Sequence, residues 1–390
     1  MLLRAAALAA LAGAAATAPR NTAPAVGARK QNDTVITYYV YSGQEAPAAV
    51  HKKALADYGD IANTLAGLEF QPFSVFVYDP KLLTDEDVKD LIKEYCSAIG
   101  MAPGCVKEAD LRAGSLCGGL CGEPGHQVME FQVDDDSRDP QWGHSRIQEG
   151  AVHETTHVWQ TQNQAQQYNS GGGDDTEDFR AKGTRWWMEG TATWMGDRIL
   201  SAYAEDPRYS FQAPDPNRTN FGRTLAQNCQ SLFDHEGGAE GVVPGLRLTN
   251  AAQASDAPYK KLWEPQCQQD KDHPMRDCYY TFVYEGGYCA TEFLFSGPDA
   301  NRTAEAGKPP LQAEFSKLLT VMATTSKINS WEKAFIDQFG PMLPGEPTTM
   351  EGFYEAMEAA HGQPNYVYEA PIGHCSTPEG LGSCPCCPKK

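Results

Sequence analysis

His153-Glu154-Thr155-Thr156-His157 constrains this chain more than any other stretch. On a helix, residues four apart lie on one face, one turn above the other. That spacing lets both imidazoles bind a single Zn²⁺, with Glu154 flanking the pair and within reach of a metal-bound water. The apolar pattern around the motif predicts a helix from about Ile147 to Gln164.

A catalytic zinc takes three protein ligands and leaves one position for water. A second helical stretch downstream, Arg185-Trp186-Trp187-Met188-Glu189-Gly190-Thr191-Ala192-Thr193-Trp194, supplies Glu189 as the third ligand. Two neutral imidazoles and one carboxylate leave the ion net positive, which draws the pKa of the water toward neutrality. Glu154 is poorly placed to be a fourth ligand. It suits a general base that takes the water proton and returns it to a leaving amine.

At 390 residues the chain can form one large domain or two compact ones. Its formal net charge of −19 argues against nucleic acid and anionic membranes as partners. No internal apolar run is long enough to span a bilayer. Residues 1–18 read as a signal peptide: Met1-Leu2-Leu3-Arg4 is a short basic start, Ala5 to Ala18 an apolar run of small residues, and Ala16-Thr17-Ala18 a cleavage-like end. An organelle transit peptide is the alternative, because the first thirty residues carry arginines and no acid. The 12 cysteines fall in three regional groups, Cys96 to Cys121, Cys229 to Cys289 and Cys375 to Cys387, which suits local disulfides. Glycosylation sequons begin at Asn32, Asn217 and Asn301. Together these features place the chain in the secretory pathway or outside the cell.

In chain order, 19–35 is expected to be disordered or trimmed. Thr34 to Ser42 and Phe73 to Tyr78 read as strands, Ala46 to Ala66 as a helix stopped by Gly67, and Thr84 as the cap of a helix running to about Cys96. Residues 100–126 look like a disulfide-held loop, followed by a strand from His126 to Val133. Asp134-Asp135-Asp136 reads as a solvated acidic turn, without the spacing of a calcium loop. Ser170 to Asp175 is a flexible acidic loop, 205–275 long disulfide-tied loops, and Tyr279 to Phe295 a helix. Further helices are expected at Leu311 to Met322, after a cap at Asn329, and after Thr348, with a Cys/Pro/Gly tail over 371–390. This gives an α+β expectation: a half at 36–165 with a mixed sheet and the motif helix, and a mainly helical half at 166–370.

His153 to His157, with Trp187 to Ala192, resembles the gluzincin zinc metallopeptidases, whose third ligand is a glutamate; the second stretch is similar to the Trp-x-x-Glu-Gly-x-Ala pattern of their secreted and aminopeptidase-like branches. The resemblance implies a zincin-like catalytic domain, Zn²⁺ as cofactor and a peptide or protein substrate cut by a zinc-activated water. Tyr284-Glu285-Gly286-Gly287 looks like the tyrosine-bearing helix of that clan, which implies Tyr284 as oxyanion stabiliser, with Tyr280, Tyr288 and His235 as rivals. Ser330 to Gly340 looks like its C-terminal helical element. Two departures stand out. The spacer between His157 and Glu189 is 31 residues, longer than in thermolysin-like enzymes. The position four after Glu189 is Thr193 where thermolysin- and neprilysin-like members of that clan carry Asp, and Asp197 comes one turn later. The Gln127-Val128-Met129-Glu130-Phe131 segment only partly resembles an amine-binding motif of aminopeptidases and reads instead as an edge strand able to pair with substrate. The other readings are a secreted zinc-binding protein without turnover, a zinc hydrolase of a non-peptide amide, and a disulfide-rich structural protein with a fortuitous motif.

Overall fold

The computed structural model describes residues 29–32, 35–113, 116, 119–122, 125–164, 183–214, 246, 281–295 and 310–361. The expected signal peptide, the acidic glycine loop, the Cys/Pro tail, the three sequons' asparagines other than Asn32 and most of 205–275 lie outside these residues.

Five strands form one mixed sheet in the order β1-β2-β3-β5-β4. They are β1 (Arg29–Asn32), β2 (Ile36–Val40), β3 (Phe73–Tyr78), β4 (Leu120–Cys121) and β5 (Gln127–Gln132). β2, β3 and β5 run parallel, and β1 and β4 flank them antiparallel. Central parallel strands are covered on both faces, so their sequences are apolar nearly throughout and the two faces are told apart only by alternation. Tyr38, Val40, Val75, Val77 and Met129 face one side, Tyr39, Tyr41, Phe76, Tyr78 and Val128 the other. On the second side Tyr39 stacks on Phe76 with centroids 4.5 Å apart, a contact worth about 0.5–1.5 kcal/mol beyond its burial. Residues 29–32, expected to be disordered or trimmed, form β1 instead. Their polar sequence gave no burial signal; the strand exists through backbone pairing to β2 at the sheet margin. The segment read as an edge strand, β5, is interior, and the margin beside it is β4.

α1 (Glu45–Ala66) and α4 (Gly143–Gln162) cover the first face; α2 (Asp85–Ala98) and the short α3 (Glu108–Ala113) cover the second. α1 ends at Gly67, in the left-handed conformation at φ 65°, which a side chain would resist. Thr84 caps α2 through a capping box with Asp87, and such caps contribute about 1 kcal/mol. Cys96 and Cys105 form a disulfide, the first of the expected local pairings. Cys121 and Cys289 are each disulfide-bonded as well.

The remainder is helical: α5 (Arg185–Tyr203), a π-helical segment Thr281–Gly286 continuing into α6 (Gly287–Phe295), α7 (Pro310–Ile328), α8 (Trp331–Phe339) and α9 (Met350–His361). The chain is therefore α+β, with a mixed sheet and the motif helix in its N-terminal half and a mostly helical C-terminal half. α5 is apolar almost all round because helices enclose it. Trp186 stacks on Phe353 and donates to the Tyr354 hydroxyl at 2.9 Å, while Trp187 stacks on Trp331. α8 is capped by Ser330, not Asn329; Asn329 takes a positive φ of 56° so that the next residue can cap. Thr349, not Thr348, accepts from Gly352 at the start of α9. Among the described residues no helix is long and apolar enough to cross a membrane.

Candidate metal centre

α4 lies between α1 and α5, and packing consumes most of its circumference. Trp159 meets Tyr58 edge-on at 4.9 Å and stacks on Phe70 at 5.0 Å, and Thr156 is hydrogen-bonded by both its own helix and Tyr58. The face left over carries His153 and His157. α5, capped by Thr184, brings Glu189 up to that face.

The three side chains converge. His153 Nε2 and His157 Nε2 are 3.1 Å apart; Glu189 Oε2 is 3.2 Å from His157 Nε2 and 3.6 Å from His153 Nε2. One donor atom from each lies within 4.8 Å of the other two, so the cluster can hold a single metal ion. Tetrahedral donors about 2.1 Å from one zinc sit about 3.4 Å from each other, which the observed spacings bracket.

Charge follows from this crowding. Burial alone would depress the His157 imidazole, but the Glu189 carboxylate overrides it and holds the group up at about 9. Burial would raise Glu189, yet His157 and His153 hold it well below the ordinary carboxylate range. Glu154 is pushed up by burial, against the pull of the two imidazoles and with a further push from Glu189. Its Oε2 is shut off from solvent and has no hydrogen-bond partner among the described residues.

The group that orients His157 is Gln160, which the sequence reading missed. Its Oε1 lies 2.8 Å from His157 Nδ1, and its Nε2 donates to the Met188 carbonyl at 3.3 Å, tying the motif helix to the residue before Glu189. The signal was available: Gln160 is three residues after His157, on the same helical face. Thr193 bends back to the Glu189 carbonyl at 2.8 Å, and Asp197 accepts from the Tyr288 hydroxyl at 3.2 Å.

Tyr284 lies beside His153. Its ring lies nearly parallel to that of His153, with centroids 6.4 Å apart, and the residue is partly exposed. Its rival Tyr288 is buried with its hydroxyl on Asp197; Tyr280 and His235 lie outside the described residues. Glu130 accepts from the Leu116 amide at 2.9 Å, the Gln132 side chain at 2.8 Å and the Tyr78 hydroxyl, which fixes it as a strut beneath the loop leading to β4. Arg185, also missed, places Nη1 3.9 Å from Glu189 Oε1.

Comparison with known proteins finds no match to a family model, a curated protein or a solved structure.

Proposed function

We propose that this chain is a secreted zinc-dependent metallopeptidase of gluzincin type that hydrolyses peptide bonds. The observation that carries the reading is the convergence of two imidazole nitrogens and one carboxylate oxygen at 3.1, 3.2 and 3.6 Å. Two histidines and a glutamate are a donor set suited to catalytic zinc. The disulfide between Cys96 and Cys105 supports an oxidising compartment.

His153, His157 and Glu189 would hold the ion, which when bound supplies Lewis acidity toward a water and a carbonyl oxygen. The protein's own groups do the rest. Gln160 holds the His157 ring so that Nε2 faces the centre. Glu154 takes a proton from the attacking water onto a carboxylate already short of partners, then delivers it to the departing amine. Burial raises its proton affinity, the direction that favours taking up a proton. The Tyr284 hydroxyl, carried on a ring beside His153, donates to the oxygen that gains charge on the carbonyl. No covalent intermediate is required.

The test is Glu154→Gln. A peptidase loses turnover on a peptide library but keeps one zinc per chain. Unchanged cleavage, or a wild-type protein that binds zinc and cleaves nothing, contradicts the reading. The second outcome favours a zinc-binding protein without turnover.

A further inference from the structure

Gly119 leads into β4 at φ 133°, a conformation that L side chains resist. A Cβ there would meet Glu154 Oε2 at 2.9 Å, Oε1 at 3.1 Å and Cδ at 3.2 Å. The carboxylate of the motif helix thus rests against bare backbone at the sheet margin.

That backbone has no room to retreat. The Gly119 carbonyl accepts from the Glu130 amide at 2.7 Å. Upstream, Leu116 donates its amide to the Glu130 carboxylate at 2.9 Å, and Glu130 is itself held by Tyr78 and Gln132. Downstream, Leu120 and Cys121 pair with Met129 and Val128, and Cys121 is disulfide-bonded. A side chain at 119 would therefore displace the other party, the Glu154 carboxylate. Glu154 Oε2, buried and without a partner among the described residues, is the atom facing this wall.

We propose that Gly119 is a positioning residue: its missing side chain lets the strand wall seat the Glu154 carboxylate at the distance proton transfer requires. This inference rests on the peptidase reading, in which Glu154 is the base. It adds a residue from the lead-in to β4, at the sheet margin, to a site otherwise built from helices. A base displaced by a fraction of an ångström loses its alignment with the attacking water, while peptide binding and the three metal ligands are untouched.

The experiment is a double-mutant cycle on zinc-loaded full-length protein. Gly119→Ala should lower kcat by about ten- to a hundredfold, leave KM within about twofold and keep one zinc per chain. In a Glu154→Asp background the carboxylate is one methylene shorter and withdraws from the wall, so the added alanine should have little further effect. Gly67→Ala, at φ 65° with nothing within 4 Å of its Cβ, carries backbone strain without a neighbour and should leave kcat unchanged. An unaltered kcat in Gly119→Ala, or equal losses with and without the Glu154→Asp substitution, overturns the proposal. Should the alanine variant fail to fold, glycine-labelled NMR of protein with glycine at 119 decides. Glu154→Gln should shift the Gly119 resonances and leave those of Gly67 in place; an unmoved Gly119 signal overturns the proposal. Wild-type protein that cleaves no peptide would remove the peptidase reading, while the NMR result still reports whether Gly119 abuts Glu154.

Discussion

The backbone of Gly190, one residue past the carboxylate of Glu189, lies directly against that of Gly287. A Cβ on Gly190 would sit 2.1 Å from the Gly287 carbonyl carbon, and one on Gly287 would sit 2.4 Å from the Trp186 carbonyl oxygen. The helix bearing Glu189 therefore meets at backbone contact the first residue of α6, directly after the π-helical segment bearing Tyr284, which sets Tyr284 beside His153. Glycine is the residue that permits such an approach. Gly287→Ala forces the two helices apart, and overpacking of this kind costs about 1–3 kcal/mol. Denaturant unfolding of the metal-free variant should show that loss. Because the separation also moves Tyr284, turnover should fall while zinc content holds.

Gln160 links His157 to the carbonyl preceding Glu189. Removing a group that orients a metal-bound histidine typically costs ten- to a hundredfold in metal affinity. Gln160→Ala should weaken zinc binding by about that factor in a chelator competition, with little change in fold. Gln160→Glu keeps an acceptor at Nδ1 and should retain tighter binding than the alanine variant.

Tyr284→Phe removes the hydroxyl and keeps the ring that stacks near His153. If the hydroxyl donates to the developing oxyanion, kcat should fall by about 10²–10³ with KM nearly unchanged. Tyr288→Phe serves as the comparison: its hydroxyl lies on Asp197 inside the core, so its loss should appear in stability and leave kcat alone.

Protons and metal compete for the same centre. In the metal-free protein the His157 imidazole is held up at about 9 by Glu189, above its ordinary value of 6.5. A raised histidine contributes stability that is fully present below pH 6.5 and is lost as pH rises through about 9. Metal binding needs the imidazole neutral, so apparent zinc affinity should climb across the same window and level off above about pH 9. Calorimetric titrations at several pH values, corrected for buffer ionisation, should show proton release on binding below that point. A flat profile between pH 6.5 and 9 contradicts the assigned pairing.

The cluster of candidate metal ligands was legible in the sequence because helix periodicity alone puts His153 and His157 on one face, and a separate glutamate in a tryptophan-rich helix joins them. The caps at Gly67 and Thr84 were legible for the same local reason: each depends on a few neighbouring residues. What stayed hidden depends on contacts between distant segments. Nothing in Arg29 to Asn32 announces a strand, since its partner is β2. Alternation along β5 does not reveal that β4 lies outside it in the sheet. Gly119 looks like one more glycine in a cysteine-rich loop until the strand meets Glu154, 35 residues on. Asn329 and Ser330 both suit a helix cap, and only the backbone angles separate them.

Metal content of the purified chain, compared between wild type and Glu189→Ala, tests the central claim most directly. The account predicts one zinc per wild-type chain and its loss from the variant under the same dialysis, because two imidazoles from one helix do not retain the ion without the carboxylate from the other. A wild-type chain without stoichiometric zinc, or a variant that keeps the metal as firmly as the parent, would contradict it.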